Sequence, residues 1–345
     1  MIDCDIHNTI PSLEALYPYL PDHWCDYIRD SAFVGPDVND YPGGARIAAL
    51  PESRPGNGGP PGSDPALVKT QVLDAHDVGI GLLTCNYWVQ CIHHEDLAAS
   101  MAMAINDWQR DVWLEPEPRF RASLVVPSQN PELAAREIDR IGDHPGFVQV
   151  IMPVRTIMPY GKRYFDPIYE AAVRHHLVVG IHYGGAAGHP PTPTGWPISF
   201  HEEYAGMIQL FQSQINSLIA EGVFARFPDL RMTLIEAGFT WLPSFMWRLD
   251  KEWRGLRHEI PWVKRPPSDY MRDHIRWTTQ PVDLPGNATH LNQILEQMQS
   301  DDLLLYASDY PHNHGEDTPG AWMDGLTEAL SRKIRVDNAK SWYEV

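Results

Sequence analysis

A closed (β/α)₈ barrel in a single domain is the fold that this sequence predicts. Eight short apolar runs alternate with segments of helical periodicity, a pattern that favours parallel strands covered by helices. Eight such units suit a closed barrel better than an open, doubly wound sheet, and no Gly-rich dinucleotide motif follows the first run. The length of 345 residues is one that α/β barrels commonly reach as a single domain.

The candidate strands are short and mostly rich in Val, Ile and Leu, as buried parallel strands are. They lie at residues 1–7, 79–86, 120–127, 147–153, 177–182, 232–237, 275–279 and 303–309. Helical segments follow most of them, at residues 95–113, 131–141, 166–175, 204–221, 242–253, 288–299 and 318–330. In the first of these, Leu97, Met101, Ala104 and Trp108 recur at spacings of three and four.

Two of the predicted helices also have clear starting signals. Asn130 precedes Pro131, and Asp166 precedes Pro167. A side chain that caps the helix, followed by Pro in the first turn, is typical of a helix start. We therefore expect helices to begin at both places.

One stretch fits no regular element. Residues 36–64 are dense in Pro, Gly, Asn and Asp, so they predict an irregular insertion after the first strand. The insertion is either a mobile surface loop or a lid over the mouth of an active site. A second irregular stretch, 184–197, follows the fifth strand.

Composition narrows the function classes. The net charge of −18 would repel phosphate backbones and anionic membranes, so we expect a small-molecule substrate, no nucleic acid and no membrane partner. We expect no signal peptide, because the first residues have neither a basic nor an apolar region, and no membrane span, because no apolar stretch is long enough. The four cysteines form no CxxC pair, which is typical of reduced thiols in a cytoplasmic protein.

The first strand carries three polar residues at alternate positions. Asp3, Asp5 and His7 would share one face of a regular strand, and burying them is costly unless they bind something. Asp5 and His7 lie nearest the carboxyl end, where barrel enzymes build their sites. A polar first strand at a fraying terminus is the alternative.

Two further strands end in a residue that can bind a metal. His182 ends the fifth strand and Asp309 the eighth. Singly, a hydrogen-bonded core histidine and a turn-capping aspartate would explain them. Together with Asp5 and His7 they predict a divalent metal site, with zinc as the first candidate and iron or manganese as others.

Four segments then resemble a known family. They are IDCDIHN, VVGIHYGG, RFPDLRMTLIEAGFTWLPSFMWRLD and LLLYASDYPH, followed by the terminal IRVDNAKSWY. Their order and separation resemble the amidohydrolase superfamily, in the amidohydrolase-related branch that includes aminocarboxymuconate semialdehyde decarboxylase and hydroxybenzoate-type decarboxylases. The resemblance covers essentially the whole chain. It implies a metal-dependent barrel enzyme in which Asp5, His7, His182 and Asp309 bind the metal, and it implies a homo-oligomer. A hetero-oligomer with a related chain is the alternative.

The sixth strand departs from the family pattern. Members usually have a general acid or base histidine at its end, but Glu236 stands there in this chain. Near a cation, a carboxylate stays ionised, so Glu236 is a candidate base toward a metal-bound water. It is also a candidate ligand of a second ion, together with His94 and His312. Asp309 is a candidate catalytic group as well as a metal ligand.

Three further residues are candidates for substrate binding. Arg121 on the third strand and Arg155 after the fourth could pair with a substrate carboxylate, although structural ion pairs would also explain them. Trp241 could line a pocket, although core packing explains most of the 12 tryptophans.

Three functions remain open on the sequence alone. The first is a hydrolase or non-oxidative decarboxylase that acts on a small carboxylated substrate through a metal-activated water. The second is a dinuclear iron or manganese oxygenase on the same barrel. The third is a non-catalytic metal-binding subunit of a hetero-oligomer.

Overall fold

The computed structural model describes residues 1–36, 49–185, 190–192, 194–314 and 319–345. Within them, eight parallel strands lie side by side in chain order. They are β1 (Ile2–Ile6), β2 (Ile80–Leu83), β3 (Phe120–Val125), β4 (Phe147–Arg155), β5 (Val178–Gly185), β6 (Met232–Ile235), β7 (Ile275–Thr278) and β8 (Leu304–Leu305). Every predicted strand is present, and the predicted (β/α)₈ barrel is confirmed.

The sheet closes where the chain after β8 meets β1. Cys4 N donates to Tyr306 O at 2.9 Å, and His7 N donates to Tyr310 O at 2.7 Å. Residues 306–309, which were predicted to continue the eighth strand, therefore face β1 beyond the point where β8 ends. The closing contacts bring Asp5, His7 and Asp309 to one edge of the barrel.

Helices cover the outside of the barrel. Among the described residues the α-helices are Asp22–Ser31, Pro65–Val68, Glu95–Gln109, Pro131–Ile141, Asp166–Arg174, Phe200–Gly206, Ile208–Ala220, Val223–Arg226, Leu242–Leu256, Pro267–His274, Ala288–Gln297, Glu328–Arg332 and Asn338–Tyr343. The predicted start at Asn130 is confirmed, since its Oδ1 accepts from Leu133 N at 3.1 Å. The predicted start at Asp166 is also confirmed, since the helix Asp166–Arg174 begins there. The Asp166 carboxylate does not cap this helix and forms an ion pair with Arg226 at 2.7 Å.

Two predicted helices differ from the structure. The segment 204–221 divides into Phe200–Gly206 and Ile208–Ala220. The segment 318–330 was predicted as one helix, but it contains a 3₁₀ turn at Ala321–Gly325 and a short helix at Glu328–Arg332. Apolar spacing alone shows neither break, because one turn of different geometry leaves the intervals of three and four residues nearly unchanged.

The pairing of β1 is irregular, which separates Asp3 from Asp5. The register with β2 shifts between Asp3 and Ile6. Asp5 therefore faces Thr84, whereas Asp3 lines a separate cavity with Tyr306 and the helical turn at Lys69–Asp74. The prediction that Asp3 shares the face of Asp5 and His7 is wrong, because strict alternation holds only in a regular strand. Burial raises the pKa of the Asp3 carboxyl to about 7.

The predicted insertion is only partly described. Residues 37–48 lie outside the described residues, so the lid and the single-domain assignment with a 36–64 insertion stay predictions. The described part contacts the loops after β1 and β8: Leu50 N donates to Pro311 O at 2.8 Å, and Thr9 N donates to Gly62 O at 2.9 Å. All four cysteines are free. Among the described residues, no helix combines the length and apolar character that a membrane crossing requires.

The last helix, Asn338–Tyr343, covers the amino-terminal end of the barrel. The Tyr343 hydroxyl lies 2.9 Å from Gln149 Oε1 and 3.1 Å from Thr233 Oγ1, and Trp342 Nε1 donates to the same Thr233 oxygen at 3.1 Å. All four side chains are buried. This polar network closes the end of the barrel that lies opposite the predicted site.

Replacing Tyr343 by phenylalanine is expected to lower the free energy of unfolding by about 1–3 kcal/mol, because it removes a partner of a buried amide oxygen. Urea denaturation of Tyr343→Phe would measure the loss. Tyr27→Phe is the matched control, since Tyr27 is 43% exposed. Equal losses in the two variants would show that the network adds no stability.

Candidate metal centre

Four side chains meet at the carboxyl ends of β1, β5 and β6. Asp5 and His7 come from β1 and the residue after it, His182 from β5, and Glu236 from the turn after β6. One ligand atom from each lies within 4.8 Å of the other three, and all four residues are buried. We call Asp5, His7, His182 and Glu236 the primary group.

The distances within the primary group suit one divalent ion. His182 Nε2 lies 3.6 Å from Asp5 Oδ2 and 3.3 Å from Glu236 Oε1. His7 Nε2 lies 3.3 Å from Glu236 Oε1 and 3.9 Å from Asp5 Oδ1. Two donors that each bond an ion at about 2.1 Å lie between about 3.0 and 4.2 Å apart. The four donors therefore have the spacing of a coordination shell.

Two atoms of the primary group have no hydrogen-bond partner within the described part of the chain. Asp5 Oδ2 and Glu236 Oε1 are both buried, and nothing donates to them. A buried carboxylate oxygen without a partner is costly. Both atoms point at the imidazole nitrogens of the same group, so a cation would satisfy both. The residues present fit a divalent metal.

Neighbouring side chains orient the donors. Thr84 Oγ1 donates to Asp5 Oδ1. His182 Nδ1 donates to Tyr183 O at 2.7 Å, which leaves the lone pair on Nε2 for a cation. Asn86 Nδ2 lies 2.9 Å from His7 Nδ1, and Asn86 Oδ1 has no partner among the described residues. A half-turn of the Asn86 amide would let Oδ1 accept from Nδ1 and free Nε2 for the metal.

Asp309 is held by hydrogen bonds to three imidazoles. Its Oδ1 lies 2.7 Å from His7 Nε2 and 2.8 Å from His312 Nδ1, and its Oδ2 lies 2.6 Å from His314 Nε2. His7, Glu236, Asp309 and His312 form a second set of close donors. These oxygen-to-nitrogen distances are shorter than the distance between two donors on one ion. In this structure Asp309 therefore accepts hydrogen bonds from the three imidazoles.

The charges of the centre shift its pKa values. Burial lowers the pKa of His7, but Asp5, Asp309 and Glu236 outweigh it and raise the pKa well above its usual value. Burial also lowers the pKa of His182, and Glu236 and Asp5 reverse the shift. Burial raises the pKa of Asp309, but the imidazoles hold it well below its usual range. Protons on the histidines balance the carboxylates, and a divalent cation would replace those protons.

Two carboxylates of the centre lie on strained turns. Glu236 has φ 58° and Asp309 has φ 56°, in the left-handed region that residues other than glycine rarely adopt. Glu236 directly follows β6, whereas Asp309 lies in the segment beyond the end of β8. Glu236 N donates to Thr278 Oγ1 of β7 at 3.2 Å. Strain of this kind concentrates at functional sites. These turns aim both carboxylates at the imidazoles.

Four predicted site residues lie elsewhere. His94 is exposed, with its ring 5.0 Å from the ring of Trp24, and it belongs to neither set of donors. Arg121 stands at the start of β3, the opposite end of the barrel, where its Nη1 donates to Pro118 O. Its predicted contact with substrate is therefore wrong, because barrel sites form at the carboxyl ends.

The two remaining residues lie at the correct end of the barrel but are engaged by the protein. Arg155 forms a buried ion pair with Glu203 at 3.0 Å. Trp241 Nε1 donates to Ala237 O at 2.9 Å. The sequence analysis did not identify the roles of Thr84 and Asn86, although their spacing of two after β2 puts both on one face.

A cavity of about 520 Å³ opens beside Glu236. Its lining includes Tyr183, Phe200, Tyr204 and Asp283. The ring centroids of Tyr183 and Tyr204 lie 4.9 Å apart, and those of Phe200 and Tyr204 lie 5.6 Å apart. The cavity therefore has an aromatic wall that begins at the metal donors.

The chain is similar to known proteins over most of its length. A gamma-resorcylate decarboxylase from Polaromonas sp. (strain JS666 / ATCC BAA-500) is 26% identical over 305 residues, which cover 80% of this chain and 86% of that protein.

Two solved structures share the fold. A 5-carboxyvanillate decarboxylase from Novosphingobium aromaticivorans DSM 12444, with bound manganese and a nitrobenzoic acid, has a TM-score of 0.70 at 20% identity, with 100% of this chain and 97% of that chain covered. A dihydroxybenzoic acid decarboxylase from Polaromonas sp. JS666, with manganese and 2-nitroresorcinol, has a TM-score of 0.65 at 21% identity and the same coverage.

A family model confirms the predicted relationship. The model described as Amidohydrolase matches residues 2–345, which is nearly the whole chain and includes every donor of the centre. The match agrees with the four segments that carried the resemblance, and it leaves the non-catalytic subunit without support. The chain belongs to the amidohydrolase superfamily, in its amidohydrolase-related branch, and is an enzyme of that family.

Proposed function

We propose that this enzyme is a divalent-metal-dependent, non-oxidative decarboxylase of a small aromatic carboxylate. The observation that carries the proposal is the primary group, Asp5, His7, His182 and Glu236, at the end of a cavity with an aromatic wall. Relatives that are decarboxylases of aromatic acids support the same reaction. Hydrolysis, which the sequence left open, has no comparable support.

We assign the metal to the primary group and favour manganese over zinc. Two carboxylates and two imidazoles form a donor set that manganese accepts readily, and both structural relatives described above contain manganese. When bound, the ion would supply Lewis-acid polarisation of the substrate carboxylate. Asp309, which the resemblance implies as a ligand, lies beside the same His7 nitrogen and in our proposal serves proton transfer instead.

Decarboxylation breaks the bond between the ring carbon and the carboxylate. The electron pair of that bond stays on the ring carbon, CO₂ leaves, and the carbon takes up one proton. A proton donor must therefore reach the ring. We assign this role to His312, whose Nδ1 lies 2.8 Å from Asp309 Oδ1 and 3.8 Å from Glu236 Oε1. His312 would replace the sixth-strand histidine that Glu236 displaces.

Asp309 and the aromatic wall position the reacting groups. The buried Asp309 carboxylate keeps the proton of His312 in place, as a carboxylate orients a catalytic imidazole in other enzymes. The side chain of His312 is 29% exposed, so solvent can return the proton after each turnover. Tyr183, Phe200 and Tyr204 would hold the ring, since aromatic rings pack favourably against one another.

A two-ion centre is the second candidate, and the second set of donors favours it. Asp309 and His312 could hold another ion, with Glu236 between the two ions. This arrangement would serve the dinuclear oxygenase that the sequence left open. It requires Asp309 to exchange its hydrogen bonds for metal bonds. The predicted oligomer and cytoplasmic location also stay predictions.

Metal content and CO₂ release test the proposal together. Chelator-treated protein would be reloaded with manganese or zinc and supplied with a panel of hydroxybenzoates. We expect about one manganese per chain and equal CO₂ release with and without oxygen. Two ions per chain and a requirement for oxygen would favour the oxygenase. No CO₂ from any acid by the metal-loaded protein would contradict the decarboxylase.

A further inference from the structure

The cavity beside Glu236 contains a second carboxylate, that of Asp283. Its Oδ2 lies 2.5 Å from the position that a Cβ on Gly238 would occupy. Gly238 follows Glu236 by two residues and has φ 62°. Because Gly238 has no side chain, the Asp283 carboxylate reaches the backbone segment that carries Glu236.

The negative charge of Asp283 is not balanced by a permanent positive charge within the described part of the cavity. The described lining contains no Lys or Arg, and its ionisable members are Tyr183, His201, Tyr204, Glu236 and Asp283. Asp283 forms no ion pair among the described residues, and burial raises its pKa. By contrast, Glu236 has the histidines of the metal centre beside it.

The position of Asp283 indicates which part of the proposed substrate it would contact. In the proposed function, the reacting carboxylate lies at the primary group and the ring lies along Tyr183, Phe200 and Tyr204. Asp283 lines the same cavity but belongs to neither the primary group nor the aromatic wall, and it is exposed to solvent. In this binding mode its carboxylate would face a group on the ring other than the one that reacts.

We propose that Asp283 is a specificity residue that selects aromatic acids with a cationic substituent on the ring and rejects those with a second acid group. The proposal rests on the decarboxylase function above. A carboxylate that lines a binding cavity attracts a substrate ammonium group and repels a second carboxylate. For a pair near the mouth of a cavity, we expect each preference to be about fivefold in Kd.

Three salicylates would test the preference by calorimetric binding to the manganese-loaded protein. They carry an aminomethyl, a methyl or a carboxymethyl group para to the reacting carboxylate. The wild type is expected to bind the aminomethyl compound most tightly and the carboxymethyl compound most weakly. In Asp283→Asn the three affinities should converge, whereas Asp283→Glu should keep the order. Asp229→Asn is the matched control, since Asp229 is exposed and precedes β6 at the opposite end of the barrel.

The salt dependence of binding to the wild type gives a second test that needs no variant. In the wild type the preference should shrink as salt is raised, because salt screens a solvent-exposed charge pair. Equal binding of the three compounds to the wild type, or an unchanged order in Asp283→Asn, would overturn the proposal. CO₂ release from unsubstituted salicylate and from dihydroxybenzoates, measured on the same preparations, reports separately on the decarboxylase function.

Discussion

Asp5→Asn is expected to lose the metal and to lower kcat/KM on the order of 10³-fold, since metal Lewis acidity contributes several kcal/mol to catalysis. Asp5 is fully buried, and its Oδ2 has no hydrogen-bond partner among the described residues. Asparagine keeps the shape and an acceptor for Thr84 but lacks the negative charge that binds the cation. Elemental analysis of protein that has been dialysed against manganese would measure the loss of metal.

Thermal unfolding gives a readout that does not depend on activity. A ligand that binds only the folded state raises the melting temperature, so manganese should stabilise the wild type and leave Asp5→Asn unchanged. Asp22→Asn is a suitable control, because Asp22 is exposed in the first turn of its helix. A variant of Asp5 that binds manganese as tightly as the wild type would remove Asp5 from the metal site.

His312→Gln is expected to lower kcat by about 10²–10³-fold and to leave the manganese content at one ion per chain, because general acid catalysis typically contributes this much. KM should change little, since a proton transferred in the transition state lowers the barrier without adding to binding of the substrate in the ground state. In His312→Ala, added imidazole should restore part of the rate. Steady-state kinetics of CO₂ release and elemental analysis would measure both effects.

The same variant separates proton transfer from a two-ion centre. If His312 is a ligand of a second ion, its replacement lowers the metal content by one, and imidazole does not restore the rate at a constant metal content. His94→Gln is the matched control, because His94 is exposed and lies outside both sets of donors. A normal kcat in His312→Gln would contradict the assignment of the proton to this residue.

The barrel could be predicted because each of its strands and helices has a characteristic local pattern of apolar residues. Buried parallel strands are short apolar runs, and the helices between them repeat apolar residues every three or four positions. The predictions for Asp3 and for the end of β8 were wrong because the hydrogen bonds between strands depart from the regular pattern that the sequence suggests. The shift of register in β1 turns Asp3 away from the centre, and the chain after Leu305 contacts β1 beyond the end of β8.

Most of the metal donors were also predictable. Asp5, His7 and His182 stand in or just beyond the carboxyl halves of their strands, and the carboxyl ends of parallel strands meet at one end of a barrel. That rule does not depend on the conformation of the loops. It also selected Asp309 and pointed to Glu236. Arg121 could not be placed correctly by type alone, because its position at the start of β3 puts it at the other end of the barrel.

The sequence by itself determined the fold, the family and the residue types at the end of the barrel. Only the tertiary structure decided which carboxylate completes the primary group. Glu236 does so, whereas Asp309 bonds to His7, His312 and His314. The physical reason is that a donor's position depends on the backbone angles of the strand tip and on contacts with distant strands. The spacing of residues along the sequence predicts neither these backbone angles nor these distant contacts.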